Sequence, residues 1–216
     1  MTYDFELLNA AQFDNLSDTP LRDLVYVVFN CETTGLNPAL DEAVQLGAVR
    51  VVNGKVVPGE VFETLVNPGI PIPKRSTDVH GINDAMVAGA PDFGEVCTTF
   101  HAFAKQSIFV AHNAAFDMAF LHMQTSKTGQ QFDQPVLDTV LMSAAIFGAS
   151  AVDTLDSICD RLGIVIPTHQ RHTAMDDAVA TAHALVSMIA IFEGRGFQTF
   201  GSFEPELSKH RNILKR

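Results

Sequence analysis

Asn30, Glu32, Asp117, His172 and Asp177 are the residues of this chain whose types and placement could do chemistry. Acidic side chains recur where apolar runs end: Glu32, with Asn30 beside it, after VYVVF; Asp117 shortly after SIFVAH; and Asp177 near the start of a long apolar-striped segment. Positions at such edges suit a site. Hydrolysis of a phosphodiester needs a group to deprotonate water, positive charge against the phosphate, and stabilisation of the leaving oxygen. Two divalent ions roughly 3.5–4 Å apart supply the last two and lower the pKa of the water. Hard ions such as Mg²⁺ or Mn²⁺ prefer oxygen ligands, so carboxylates rather than thiols are expected. A histidine that titrates near neutrality can take the proton.

The candidates fall in three motifs. In FNCETTG, residues 29–35, an alternating strand end turns Asn30 and Glu32 to one side and Cys31 to the other. Thr33, Thr34 and Gly35 then offer backbone N–H groups to a ligand, although E-T-T-G alone reads equally as a polar turn. In HNAAFD, residues 112–117, Asn113 reads as a helix N-cap and Asp117 as a first-turn acid, which by itself suits the helix dipole as well as it suits a site. In HTAMDDA, residues 172–178, Thr173 and Asp176 have the spacing of a capping box, which leaves Asp177 for a different role and places His172 just ahead of the helix.

The elements that must position these residues follow from periodicity. VYVVF, residues 25–29, is a short apolar run rich in β-branched and aromatic residues, as in a strand buried on both faces. VQLGAVRVV and KVVPGEVFETLV, joined by Asn53-Gly54, predict a hairpin, so three antiparallel strands open the fold. NPGIPIPKRSTDVHG reads as a loop, and Phe93, Val96, Phe100 and Phe103 mark one face of a following helix. SIFVAH predicts another buried strand. AAFDMAFLHM predicts a helix striped by Phe116, Phe120 and Met123, with Asp117 off the stripe. A further strand and helix fit PVLDTVLMSAAIF, a helix closed by Gly163 fits TLDSICDRLG, and a long helix spans residues 173–194. Strands that feed helices late in the chain imply a mixed sheet with helices packed on it.

With 216 residues, 47% hydrophobic and 18% charged, the chain suits one compact domain. The expected division is a lead-in at residues 1–23, a catalytic domain at 24–195 and a tail at 196–216. No secretory signal and no membrane-length segment are read from the sequence, so a soluble, cytoplasmic protein with no membrane partner is expected. Cys31, Cys97 and Cys159, widely spaced and odd in number, predict buried free thiols. A net charge of −11 argues against tight non-specific duplex binding and fits brief handling of one strand end, where cations meet the phosphate.

Together, and in this order, the three motifs resemble the DEDDh (DnaQ-like) family of 3′-to-5′ exonucleases, the group that includes the proofreading ε subunit of bacterial DNA polymerase III. The resemblance runs from about Val25 to Phe192. It implies a ribonuclease H-like α/β fold, a mixed five-stranded sheet flanked by helices. It also implies two divalent cations, Mg²⁺ or Mn²⁺, held by Glu32, Asp117 and Asp177, with His172 as general base. His80-Gly81-Ile82 looks like the H-G-I element that helps hold the terminal nucleotide, and Leu36 matches an apolar residue that packs on its base. The implied substrates are single-stranded or frayed 3′ ends, most simply of DNA, and a polymerase or replication partner is compatible.

The family pattern has aspartate where this chain has Asn30, and that aspartate bridges both metals. An amide is neutral and offers one acceptor oxygen, so the second ion should bind poorly. The intact neighbours favour an active enzyme carrying an Asp→Asn change over a natural relative that has lost cleavage. A module that binds strand ends without cutting is the competing class, and an exoribonuclease of the same family is the alternative substrate reading.

Overall fold

The computed structural model describes residues 16–148, 153–165 and 173–215; His172 and the lead-in before Leu16 lie outside the described residues. Five strands form one sheet in the order β3-β2-β1-β4-β5. The first three, β1 (Tyr26–Thr33), β2 (Ala43–Val52) and β3 (Lys55–Leu65), are an antiparallel meander, and β4 (Ile108–Ala111) and β5 (Val136–Asp138) add in parallel to the other edge of β1. Asn53 and Gly54 both take positive φ, 51° and 65°, as a tight two-residue hairpin turn matched to strand twist demands.

The alternation of β1 assigns its residues to two faces. Tyr26 and Val28 join one core with Val49, Val51, Ile108, Val110 and Leu137. On that side lie α5 (Thr139–Phe147), α6 (Leu155–Leu162), the long α7 (Ala174–Gly194) and α8 (Phe200–Ser208). Val27, Phe29 and Cys31 join a second core under α3 (Phe93–Ala104) and α4 (Ala114–Thr128), where Phe29, Phe100 and Phe109 pack ring against ring. All three cysteines are buried free thiols, as expected.

Four features depart from the sequence expectations. The proline-rich stretch after β3 holds two short helices, α1 (Lys74–His80) behind Pro73 and α2 (Asp84–Val87), the latter capped by the Asn83 side chain. Pro73 precedes the first helical residue with φ −59°, a conformation proline sets without strain. On α4 the inward face carries Asp117, Met118, Leu121 and Gln124, while Met123, placed on the stripe by spacing, is exposed. The stretch set apart as a tail contributes α8, which sends Phe200, Phe203 and Leu207 into the same core as Leu16 and Leu21. Finally, α7 is long and apolar enough by composition alone to cross a membrane, yet half of its most apolar window is buried inside the fold, against β1 and β2.

Candidate active site

β1 runs four residues beyond VYVVF, so Asn30 and Glu32 are strand residues rather than the loop that follows. Both continue the Tyr26–Val28 face, under the start of α7, while Cys31 turns into the opposite core. The parallel ladder to β4 pairs Val28 with Val110 and goes no further. Past that point the N–H groups of β1 on the β4 side need other partners, and the amide of Cys31 donates to Asp117 Oδ1 at 2.8 Å. Asp117, 1% exposed in the first turn of α4, is thereby tied to the strand between Asn30 and Glu32.

Asp138 sets the turn that delivers Asp117. It ends β5, is 1% exposed, and accepts the amides of Asn113 (3.1 Å) and Val140 (2.9 Å) on Oδ1 and of Ala114 (3.0 Å) on Oδ2. One carboxylate thus caps α4 and α5 together. Asn113 is consequently not the side-chain cap that its sequence position suggested: it sits in the left-handed region, φ 60° and ψ 52°, without a capping hydrogen bond. Asp138 is a residue that sequence reasoning missed.

The Thr173 hydroxyl accepts the Asp176 amide at 3.1 Å and donates to the Asp176 carboxylate, so the cap of α7 uses Asp176 as expected. Asp177, one position on, is half-buried and near enough to act electrostatically on Glu32. Burial first, then the charges of Asp177 and Asp117, push the Glu32 carboxyl up to about 8. Burial likewise pushes Asp117 up to about 8, against its hydrogen bonds from the Cys31 and Asp117 backbones. The Asn30 amide nitrogen approaches Glu32 Oε1 at 3.5 Å. A carboxylate at position 30 would meet Glu32 with repulsion that a cation must relieve; the amide offers a weak donor instead.

The donors fit a hard divalent cation in kind: oxygen ligands gathered at the end of the central strand β1 and on the first turns of α4 and α7, with the ionisation of Glu32 and Asp117 opposed by burial. They do not close around one. Among the described residues no three His, Cys, Asp or Glu side chains form a group that could hold a metal ion. Asn30 contributes no charge, Asp117 Oδ1 is already bound to the Cys31 amide, and His172 lies outside the described residues.

The segment after Glu32 is shaped by its own hydrogen bonds. Thr33 Oγ1 donates to the Gly35 carbonyl at 2.7 Å, and Thr34 Oγ1 donates to Asp41 Oδ1 at 3.2 Å and accepts the Glu42 amide at 3.0 Å. A Cβ on Gly35 would lie 2.5 Å from the Asp41 carboxylate, so glycine permits this close turn. Ser76 Oγ donates to the Thr34 carbonyl at 2.7 Å and brings α1 with its H-G-I end alongside. His80, buried, accepts the Ile82 amide on Nδ1 at 3.1 Å; burial holds its pKa below the usual imidazole range, against an opposing pull from the Thr33 backbone, and Nε2 completes no hydrogen bond of good geometry. Ile82 packs with Val44, Ile72 and Val87 in a small core. Of the residues assigned to substrate from the sequence, Leu36 alone is widely open, 84% exposed, whereas Thr33, Thr34, His80 and Ile82 are buried and shape the loop. A cavity of about 490 Å³ beside this loop, with Glu42, Asp92, Glu95 and Gln124 in its wall, includes none of the predicted site residues.

A meander followed by parallel strands, with carboxylates gathered at the far end of the first strand and the start of the last long helix, is the ribonuclease H-like fold. Residues 27–185 match the RNase_T family, described as Exonuclease, and the chain belongs to this family, in its DnaQ-like 3′-to-5′ group. Over 216 residues it is 51% identical to a DNA polymerase III subunit epsilon-like protein of Rhodobacter capsulatus, matching 100% of this chain and 31% of that protein. Over 191 residues it is 35% identical to a DNA polymerase III PolC-type of Caldanaerobacter subterraneus, matching 88% of this chain and 13% of that protein. The chain thus spans less than a third of the length of these relatives. Among solved structures, exonuclease X in complex with 5′ overhanging duplex DNA shares the fold at a TM-score of 0.63 and 21% identity, over 84% of this chain and 99% of that one. E. coli exonuclease I in complex with a dT13 oligonucleotide does so at 0.65 and 18%, over 81% and 42%.

Proposed function

We propose that this chain is a metal-dependent exonuclease domain that removes nucleoside 5′-monophosphates from 3′ ends of nucleic acid, and that Asn30 slows or stops cleavage in this copy. The observation that carries the reading is the mutual placement of Glu32, Asp117 and Asp177, close enough that Asp177 and Asp117 oppose the ionisation of Glu32. Clustered, partly buried carboxylates with raised pKa values are a poor structural arrangement unless positive charge arrives.

In this reading Glu32 and Asp177 would hold the ion nearer the attacking water, and Asp117 would support the other, directly or through water. Two bound divalent cations would neutralise the phosphate and acidify the water. His172 takes the proton of that water. The exposed Leu36 packs on the terminal base, while Thr33, Thr34, Gly35, His80 and Ile82 fix the loop that presents it; the amides of Thr34 and Ile82 are themselves spent inside that loop, on the Glu42 carbonyl and on His80 Nδ1. The substrate is a single-stranded or frayed DNA end: solved relatives of the fold are complexes with an oligonucleotide and with overhanging duplex DNA. The names of the epsilon-like and PolC-type relatives support a polymerase as partner.

Asn30 itself favours a second reading, a module that binds strand ends without cutting. Fluorescence anisotropy with a 5′-labelled oligonucleotide, read beside mononucleotide release in Mg²⁺ or Mn²⁺, separates the two. Binding with turnover only after Asn30→Asp supports the exonuclease; binding with no turnover from either residue supports the module.

A further inference from the structure

The start of α7, which carries Asp177, rests on two residues of β2 that have no part in the proposed chemistry. In the β1–β2 ladder Glu32 lies directly opposite Gln45, and Asn30 directly opposite Gly47. Directly opposed residues share a face of the sheet, so Gln45 and Gly47 look toward α7 as Asn30 and Glu32 do. Gln45 is 7% exposed, and its Oε1 accepts the amide of Ala174 at 3.0 Å. Ala174 is the first residue of α7, and its N–H is one of the first-turn donors that no intrahelical carbonyl can satisfy. The Gln45 amide is oriented from its other end, where Nε2 donates to Glu63 Oε1 at 3.3 Å. A carboxylate can only accept and a helix amide can only donate, so a side-chain amide is the group that satisfies both. At Gly47 the helix sits on bare backbone: a Cβ there would lie 2.4 Å from the Met175 amide nitrogen and 2.5 Å from the Ala174 carbonyl carbon.

We infer that Gln45, seated beside Gly47, is a positioning residue that sets the depth and rotation of the first turn of α7 and so places Asp177 opposite Glu32. Asp177 follows Ala174 by three residues and lies on the same side of the helix, so anchoring the Ala174 amide fixes the direction in which Asp177 projects. The inference rests on the proposed role of Asp177 and Glu32 as metal carboxylates.

The test uses the Asn30→Asp chain and three readouts: exchange of the Ala174 amide by NMR, Mn²⁺ binding by electron paramagnetic resonance, and release of mononucleotides from single-stranded DNA. Gln45→Met, close in volume but without an acceptor, is expected to speed Ala174 exchange and weaken Mn²⁺ binding by about tenfold or more, the scale of losses beyond the first ligand shell. kcat falls with it while KM for DNA holds. The exchanged pair Gln45→Glu with Glu63→Gln, which restores an acceptor toward Ala174 and a donor at position 63, is expected to recover Mn²⁺ affinity. If Gln45→Met does not fold, Glu63→Ala on the exposed strand decides, because it leaves the acceptor but frees its orientation and is expected to weaken Mn²⁺ several-fold. Unchanged Ala174 exchange or unchanged Mn²⁺ affinity in the folded variant overturns the inference, as does failure of the exchanged pair to recover. Absence of Mn²⁺ uptake and cleavage in the Asn30→Asp parent overturns the proposed function instead, and Ala174 exchange still reports on Gln45.

Discussion

Without divalent cations the protein should lose stability as pH rises from about 5 to about 8, and Glu32 should account for a measurable part of that loss. The folded carboxyl of Glu32 is pushed from its ordinary 4.5 up to about 8, so between those values the folded chain holds a proton that the unfolded chain has released. Stability therefore falls with pH through this window. It is fully present below the unfolded value and gone above the folded one. Each unit of separation corresponds to about 1.4 kcal/mol, so from pH 5 to pH 7 this one group removes about 2–3 kcal/mol. For a chain of this length that is a drop in Tm of roughly 5–10 °C. Asp117 and Asp138, pushed up to about 8 and about 6, contribute with the same sign, so the total slope belongs to the cluster. The difference between the parent chain and Glu32→Gln, melted side by side in EDTA across this range, isolates Glu32: the variant should show a visibly flatter profile. Mn²⁺ should raise the parent Tm more at pH 8 than at pH 5, because it replaces the protons. A parent Tm that rises with pH, or a Glu32→Gln profile parallel to the parent, would refute the electrostatic reasoning.

Three further outcomes are expected, two from the geometry and the last from the proposed role of His172. Asp138→Ala strands the amides of Asn113, Ala114 and Val140 and should reduce unfolding free energy by about 2–4 kcal/mol in urea titration, since a lost hydrogen bond to a charged group costs about 1.5–3 kcal/mol. Leu36→Ala, at an 84% exposed position, should change stability by less than about 0.5 kcal/mol while raising KM for a DNA 3′ end several-fold in the Asn30→Asp background. In that same background His172→Ala should lower kcat far more than Mn²⁺ affinity, and equal loss of both would contradict its role as base.

Much of the site was legible because its signals are local. VYVVF and its alternation put Asn30 and Glu32 on one face and Cys31 on the other, and the structure keeps that division. The Asn53-Gly54 pair marked the hairpin, and Thr173 with Asp176 marked the start of α7. What escaped depends on partners far apart in the chain. Asp138 reads as an acid at the end of an apolar run until the turn 25 residues earlier folds back onto it. Gln45 reads as a polar interruption of a strand until Ala174, 129 residues away, points its amide at it. Asp117 lies off the apolar stripe that spacing marks on its helix, yet it is buried, because the Cys31 amide left over at the end of the β4 ladder compensates its carboxylate. The phenylalanines and leucine of α8 read as a scattered tail because the surface they cover is made by the turns around Leu16 and Leu21 and by α7.

The central claim, an exonuclease site weakened at one ligand, is tested most directly by assaying this chain and its Asn30→Asp form side by side on end-labelled single-stranded DNA and RNA in Mg²⁺ and Mn²⁺. The account predicts that Asn30→Asp releases nucleoside 5′-monophosphates stepwise from the DNA 3′ end, at least a hundredfold faster than the chain with Asn30, as expected when a metal-bridging carboxylate is restored (about 3 kcal/mol of transition-state stabilisation). No release from the Asn30→Asp form in either metal, with the protein folded, would contradict it.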